Sequence, residues 1–345
     1  MTSISGRVYR IVSAGSFLAG FLLVTAYHVR AETSATASNA LNFFERLLQF
    51  PQGMTTIDLL LLGISVTAAF EGLDHIAKNW GVWWKSKQIP VRGKHLDYFT
   101  ARDVIYIGFS KANTAPFTYF YLSFAARRCP WKLTEVSATN TLLALIALFI
   151  AFDFVYTLLH WALHVPRIYG YIHKHHHHQK APSRAAVDAI NVHPIEYILG
   201  EYNHLLALWF CQSFVVPVHG ITSVVFLGIG GMLAALNHTR HDIVISFMGV
   251  TIYDSKVHDV HHRIPQSNYG QYTMFWDKVF GTFRDYNPKD RVNPEAQLDP
   301  KTGKSIEATK KEYSQRLIRP EEQWPTYKKE TTQFHNGFKV VKLKE

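Results

Sequence analysis

Residues 142–164 read LLALIALFIAFDFVYTLLHWALH, and this stretch decides the fold. It is apolar almost throughout, interrupted before its end only by Asp153 and two hydroxyl-bearing residues. A run of roughly 20 apolar residues is long enough to cross a bilayer as a helix. The run ends in His160 and His164, and residues four apart lie on one face of a helix. The stretch therefore predicts a membrane-spanning helix that ends in a pair of imidazoles.

Five further apolar runs predict helices that enter or cross a membrane. They are Ile11–Tyr27, Ile57–Phe70, Val104–Ala126, Leu205–Val218 and Ile221–Leu236. Because neighbouring runs pair as hairpins, we predict an all-α polytopic bundle of roughly four to six apolar helices. The first run is either a membrane helix or a signal peptide with a cleavage site at Val29-Arg30-Ala31.

The composition of the chain excludes several classes of protein. Its 345 residues are 48 % apolar, which excludes a disordered or collagen-like chain. Two cysteines, Cys129 and Cys211, cannot form a disulfide framework or a thiolate-rich metal site, and we expect both in the core. The net charge of +10 suits an anionic membrane surface or a nucleic acid. The long apolar runs favour the membrane, and we expect no nucleic acid partner.

The distribution of basic residues predicts an orientation in the membrane. Glu71 to Asp103 contains six Lys or Arg, which favours the cytoplasmic side. Counting apolar runs from this segment places the histidine-rich segments and the charged C-terminal tail on the same side. Arg127, Arg128 and Lys132 would then face the lumen, so the number of complete spans stays open.

Histidine is the most unevenly distributed residue type. Fifteen of the 19 histidines lie between His160 and His262. Twelve of them form four clusters: His160 and His164; the tract from His173 to His178; His238 and His241; and His258, His261 and His262. The second and fourth clusters both contain His-x-x-His-His. One cluster alone is more often incidental or solvated than metal-binding, but four at ligand spacings indicate a metal centre.

The number and type of these side chains favour two redox metals. Imidazole suits Fe, Zn, Cu or Ni. Four ligands complete a structural zinc site, and nine or more exceed that number. A pair of metals with imidazole ligands and few negative ones suits oxygen binding better than hydrolysis. The sequence therefore predicts a cytoplasmic helical cap that holds a histidine-rich di-metal site, which a lipid could reach along the bilayer.

These motifs resemble, over roughly residues 100–285, those of the fatty acid hydroxylase/sterol desaturase superfamily. The resemblance is carried by the blocks Asp153 to His164, Tyr169 to His177, His193-Pro-Ile-Glu196, Asn237-His238, His258-Asp-Val-His261-His262, Asn268-Tyr-Gly270 and Phe275 to Thr282. It implies a membrane-embedded non-haem di-iron enzyme that uses O2 to hydroxylate or desaturate a lipid. The Asn237 and His193 blocks look more like those of the sterol branch.

The resemblance also implies roles for individual residues. The implied ligands are His160, His164, His173, His176, His177, His238, His258, His261 and His262, with His241 as a weaker candidate. His175 and His178 are surplus, although the histidine tract permits another register. His193 is implied as a tenth ligand or as a residue that orients ligands. Asp153, Asn237 and Asp259 are further candidates for orienting ligands. Trp161 stands where many members have Arg, which suggests a different rim around the site.

The resemblance further implies a division of the chain, its cofactors and its partners. Residues 1–100 would be membrane segments and a basic loop, residues 101–285 the di-iron catalytic domain, and residues 286–345 a charged cytoplasmic tail. Two iron ions and O2 would act on a membrane lipid. Because the sequence has no dinucleotide fingerprint and no cysteine-rich cluster motif, cytochrome b5 and its reductase would supply electrons. The expected location is the endoplasmic reticulum membrane, with the histidines facing the cytoplasm.

Three alternatives stay open from the sequence. Within the superfamily, a fatty-acyl or sphingolipid hydroxylase would use the same ligand set. A histidine-rich metal transporter would place ligands in the middle of several spans. A histidine-rich metal buffer would need neither the ordered spacing nor the closing blocks.

Overall fold

The computed structural model describes residues 12, 15–25, 46, 50–51, 54–91, 96 and 98–287, and the backbone of 329–335 and 338–343. The candidate cleavage site at residues 29–31 lies outside this range. So does most of the charged tail. The statements below concern the described residues.

Each of the apolar runs contains a helix. The longer helices are α1 (Gly15–Thr25), α2 (Thr56–Trp83), α3 (Ala101–Arg128), α4 (Ala144–Leu163), α7 (Pro194–Phe210) and α8 (Gly220–Asn237). Short π-helical segments precede α4 at Thr139–Leu143 and follow α7 at Cys211–Val215. The predicted all-α membrane protein is confirmed.

Three of the described helices are long and apolar enough to cross a membrane. They are Thr56–Trp83, Thr139–Leu163 and Gly220–Asn237. Helix α1 is apolar but shorter. Helix α3 is long but carries charges, and begins in a capping box in which Thr100 and Asp103 satisfy each other's backbone amides.

Shorter elements connect and follow these helices. The short helices are α5 (Pro166–Tyr169), α6 (Ala186–Ala189), α9 (Ser255–Arg263) and α10 (Phe275–Phe280), with a 3-10 turn at His176–His178. Two antiparallel hairpins are present, β1 (Val244–Phe247) with β2 (Val250–Asp254) and β3 (Lys329–His335) with β4 (Phe338–Leu343). Neither hairpin was foreseen from the sequence. Among the residues that the structure describes, β-strands are confined to these two hairpins.

The chain divides into two compact units, each built from separate segments. The first comprises Met1–Leu73, Tyr98–Val155 and Ile190–Gly231. Its core includes Phe17, Phe21 and Ala115. Lys111 is buried there, forms an ion pair with Glu71 at 2.6 Å, and lies over the Phe17 ring. The buried ammonium group of Lys111 therefore finds its partners within the first unit.

The second unit comprises Asp74–Asp97, Tyr156–Ala189 and Met232–Glu345. It contains all nine histidines that the resemblance implies as metal ligands. The parts of the sequence that supply them are distant along the chain, and one compact unit brings them together.

Candidate metal centre

The nine histidines form two groups in which the ring nitrogens face one another. The first group contains His160, His164, His173, His177 and His261, and the second contains His176, His238, His258 and His262. Within each group the potential ligand atoms all lie within 4.8 Å of one another. The groups are adjacent, since the His177 and His262 rings are 4.9 Å apart between centroids.

Four segments of the chain carry these nine histidines. The end of α4 carries His160, and His164 follows it directly. The turns after α5 carry the second cluster, the end of α8 is followed by His238, and α9 carries the fourth cluster. On a helix or a tight turn, residues four apart project to the same side.

The two His-x-x-His-His motifs divide between the two groups in opposite ways. In the first motif, His173 and His177 enter the first group and His176 enters the second. In the second motif, His258 and His262 enter the second group and His261 enters the first. The middle histidine of each motif therefore links its segment to the other group.

The distances between ring nitrogens are short within both groups. In the first, Nε2 of His173 lies 3.0 Å from Nε2 of His160 and 2.9 Å from Nε2 of His177. Nε2 of His261 lies 3.1 Å from Nε2 of His177. The second group has matching Nε2 distances: 3.3 Å for His176 and His238, 3.1 Å for His238 and His258, and 3.1 Å for His258 and His262.

Backbone carbonyls determine the tautomer of four of these rings. Nδ1 of His160 donates to the Tyr269 carbonyl at 2.8 Å, and Nδ1 of His261 donates to the Ser267 carbonyl at 2.7 Å. In the second group, the same contact joins His238 to Ala234 at 2.8 Å and His262 to Gln179 at 3.0 Å. Because a carbonyl only accepts, Nδ1 carries the proton, and Nε2 of the neutral ring presents a lone pair to its group.

The groups consist of neutral imidazoles. Burial lowers the pKa of His173 to about 3, with a further contribution from the charge of Lys180. Burial is also the main cause of the lowered pKa values of His177, His258 and His262. Neutral nitrogens are the form that metals bind.

A cation between the facing ring nitrogens would satisfy the lone pairs that His160, His261, His238 and His262 present to their groups. Nitrogens that share one ion at about 2.1 Å lie about 3.0–3.4 Å apart, which matches the observed spacing. Both ring nitrogens of His164, a member of the first group, are buried without a hydrogen-bond partner. Buried polar atoms rarely lack partners. The donor sets therefore fit metal ions.

The loop that supplies the Tyr269 carbonyl is fixed by Asp277, a residue that the sequence interpretation missed. Its carboxylate accepts from the backbone amides of Tyr269 at 2.7 Å and Gly270 at 2.8 Å, and from the Thr282 hydroxyl at 2.6 Å. A Cβ at Gly270 would lie 2.5 Å from the Thr273 carbonyl oxygen, so only glycine fits. Asp277 lies in the Phe275 to Thr282 block that resembles the superfamily, but the sequence alone assigned it no role.

Aromatic rings surround the first group. The Tyr269 ring lies 5.3 Å from the His164 ring and stacks on Trp161 at 5.8 Å. Trp161 also contacts Phe280. Trp161 is thus part of an aromatic wall beside the first group.

Two of the residues predicted to orient ligands contact the surrounding loops. Asp259 lies on α9 and forms a 2.6 Å ion pair with Arg240, and both side chains are buried. Arg240 also donates to the carbonyls of Ile89 and Pro90. Asn237 donates to the Gln271 carbonyl at 2.8 Å. These contacts hold the segments that carry His238, His258 and the Tyr269 loop.

The remaining predicted residues lie outside both groups. His241 contacts Gln88 and the Lys78 carbonyl, and His178 contacts the carbonyl of His175. His193 caps α7, where its Nδ1 accepts from the Ile195 amide at 3.2 Å. Asp153 is fully buried on α4, two turns before His160.

The comparisons with known proteins agree with this geometry. Residues 145–282 match the family described as "Fatty acid hydroxylase". This segment carries both histidine groups. Over this segment the chain is similar to the fatty acid hydroxylase/sterol desaturase superfamily.

Named relatives within the superfamily are sterol-modifying enzymes. A Delta(7)-sterol-C5(6)-desaturase from Nicotiana tabacum is 27 % identical over 46 % of this chain and 56 % of its own length. A Delta(7)-sterol 5(6)-desaturase from Leptosphaeria maculans is 31 % identical over 46 % of each chain. A lathosterol oxidase from Rattus norvegicus is 28 % identical over 48 % of this chain and 53 % of its own.

The chain thus matches about half the length of these relatives. No solved structure shows significant similarity to it. The matched segment identifies an integral membrane protein of a metal-dependent family with a histidine-rich centre.

Proposed function

We propose that this protein is a membrane di-iron oxygenase that desaturates or hydroxylates a sterol or a related lipid with O2 and externally supplied electrons. The observation that carries the proposal is the pair of adjacent groups of buried, neutral imidazoles at the end of a candidate membrane span. Residues 101–285 would form the catalytic part, between the membrane segments of 1–100 and the tail of 286–345.

The donor chemistry supports a redox metal. The nine nitrogens would bind two iron ions, one in each group, as the ligands His160, His164, His173, His177 and His261, and His176, His238, His258 and His262. Neither group contains a thiolate or a carboxylate, which disfavours soft-metal and hydrolytic sites. When bound, iron supplies oxygen activation for removing hydrogen from an unactivated C–H bond.

The chain's own contribution is positioning and the exclusion of water. Carbonyls of Tyr269, Ser267, Ala234 and Gln179 hold ligand rings in one tautomer and orientation. Such partners raise ligand basicity and fix ring direction. The burial of the rings keeps bulk water from a reaction that must abstract hydrogen from carbon.

The substrate proposal rests on the relatives. Their names specify sterols, and about half of the chain matches them. A fatty-acyl substrate is the second candidate, because the matching family is described as "Fatty acid hydroxylase". Cytochrome b5 and its reductase are the proposed electron donors, and the endoplasmic reticulum with a cytoplasmic metal centre is the proposed location.

A metal transporter is less well supported. It would place ligands in the middle of several spans. Of the nine histidines, one, His160, lies within a described candidate span, close to the end of that span. The other eight come from connecting segments and short helices.

Lipid analysis of cells expressing the protein tests the activity. We expect a new desaturated or hydroxylated lipid with the wild type and with Lys174→Ala, an exposed residue of the same tract that belongs to neither group, but none with His261→Ala. Loss of cellular metal uptake in His261→Ala, with an unchanged lipid profile, would favour a transporter instead.

A further inference from the structure

The hairpin formed by β1 and β2 is an apolar projection that the proposed chemistry does not use. Residues 243–253 read IVISFMGVTIY and contain no charge. Phe247 is 67 % exposed, Met248 at the turn is 87 % exposed, and Val250 is 62 % exposed. Exposed apolar clusters of this kind mark an interaction surface.

Both faces of strand β1 carry exposed apolar side chains. All four residues of β1 are exposed, so side chains of both alternating sets face outward. A hairpin that packs on a core with one face has a polar opposite face. Here Val244 and Ile245 point to opposite faces and are exposed to a similar extent, 49 % and 46 %. An apolar environment on both sides of the strand would bury these exposed apolar side chains.

Met248, at the turn of the hairpin, is a further exposed apolar residue at an unusual position. Met248 and Gly249 have φ values of 48° and 78°, which is the backbone of a two-residue hairpin turn with both central residues left-handed. This turn normally has Asn, Asp or Gly at its first central position. Met248 is therefore costly for the backbone, and it places a long apolar side chain at the most exposed point.

The base of the hairpin is connected to segments at the membrane boundary. Candidate span α8 ends at Asn237, and residues 238–243 lead from it into β1. In this connection the Asp242 amide donates to the Lys87 carbonyl at 2.8 Å. Lys87 follows the end of candidate span α2, where Trp83 and Trp84 are half exposed. Exposed Trp at the end of a span is typical of the membrane–water interface.

Charges are confined to the base. Lys256 forms ion pairs with Asp242 and Asp254, on either side of the apolar stretch. This separation of an uncharged tip from a charged base matches the boundary between acyl chains and headgroups.

We infer that the β1–β2 hairpin inserts its tip into the interfacial region of the bilayer and anchors the metal-binding unit there. Within the part of the chain that the structure describes, β1 and β2 pair as strands only with each other, and a sheet with open edges cannot cross the hydrocarbon core. Five residues of strand span roughly 17 Å, enough to reach the headgroup–acyl boundary. Helix α9 begins at Ser255 directly after β2, so the anchor is covalently continuous with three histidines of the metal centre.

Depth measurements on the full-length protein in lipid nanodiscs test this inference. Both native cysteines are buried, so a Met248→Cys variant can be labelled with an environment-sensitive fluorophore. Asp285→Cys, an exposed and polar position in the same unit, is the matched control. We expect shallow nitroxide lipids to quench the label at position 248 at least about twofold more than the label at position 285.

A second pair of variants separates insertion from hairpin folding. A Phe247→Cys label is expected to be quenched by lipid, and less so when Met248→Asn is added, because Asn favours the turn but removes the apolar tip. Quenching of the position 248 label by aqueous iodide to the same extent as at position 285 would overturn the inference. So would protection that disappears when each disc holds a single chain, since a second copy would then be the occupant.

Discussion

Four backbone carbonyls determine which nitrogen of four buried histidines faces each metal group. The carbonyl of Tyr269 is one of them, and the loop that presents it depends on Asp277. A neutral imidazole has one donor and one acceptor, so fixing Nδ1–H leaves Nε2 as the ligand atom. The ability of these histidines to bind a metal through Nε2 therefore depends on the carbonyls that accept from Nδ1.

Asp277→Asn should weaken the first metal group without removing a ligand. The amide group would bring a donor toward backbone amides that also donate, which displaces the Tyr269 loop. We expect about 10–100-fold weaker metal binding, as for other residues that orient ligands. Titration of the chelator-treated protein with Fe²⁺ measures the change, and Asp285→Asn is the exposed control. Equal affinities in the two variants would show that Asp277 does not act on the centre.

Gly270→Ala should destabilise the protein by displacing the same loop through its backbone. The added Cβ would lie 2.5 Å from the Thr273 carbonyl oxygen, so the loop must move. We expect a destabilisation of about 1–3 kcal/mol, the usual cost of overpacking. Gly170→Ala is the control, since a Cβ there meets nothing within 4 Å. Denaturation in mild detergent measures both, and a Gly270→Ala variant as stable as the control would contradict the described loop.

At the scale of single elements, helix α9 is held by a buried ion pair. Arg240 connects Asp259 on α9 to the carbonyls of Ile89 and Pro90. Removing one partner of a buried pair leaves an uncompensated charge. The orientation of α9, and with it three histidines, therefore depends on Arg240.

Arg240→Met should destabilise the protein by about 3–5 kcal/mol. Adding Asp259→Asn should recover part of this loss, because the unpaired charge is then removed. The free energy of unfolding of the single and double variants in detergent tests the coupling. Additive effects of the two substitutions would contradict a direct interaction.

Sequence patterns predicted the helices better than the strands. Residues 142–164 were predicted to be a membrane helix because their apolar run is long enough, and the structure has a helix there. The run IVISFMGVTIY is apolar on both faces, so its hairpin lacks the alternation by which a strand is recognised. The histidine tract left two registers open. The structure places His176 and His177 in the groups and leaves His175 and His178 outside them.

Sequence reasoning could not find the long-range contacts that support the site. Asp277 and Arg240 are ordinary charged residues in the sequence, and their importance arises from partners brought near only by folding. The His193 block was quoted as a match to the superfamily, and the structure shows that the side chain caps a helix. Local spacing specifies which residues can share a helix face, but not which faces meet.

At the scale of the whole molecule, the buried histidines couple stability to pH. Burial lowers the pKa of His173 to about 3 and lowers those of His176 and His262. In the unfolded chain these groups titrate near 6.5, so between these values the unfolded state binds more protons. The stability of the metal-free protein should therefore fall as the pH is lowered below about 6.5.

Thermal unfolding of chelator-treated protein at several pH values measures this coupling. Each histidine that is protonated only in the unfolded state contributes about 1.4 kcal/mol per pH unit. Because several histidines act together, we expect Tm to drop steeply between about pH 6.5 and pH 5. The metal-loaded protein should resist acid to a lower pH, since binding holds the ligands neutral. A flat Tm in the metal-free protein would contradict the buried, neutral groups.

Iron content per chain, measured on purified full-length protein, tests the central claim most directly. Two histidine groups predict about two iron ions per chain in the wild type, and about one in either His164→Ala, from the first group, or His258→Ala, from the second. Lys174→Ala, an exposed residue between His173 and His175 that belongs to neither group, should keep the wild-type content. A content of about one iron in the wild type, or no loss in either group variant, would contradict a centre of two metal sites.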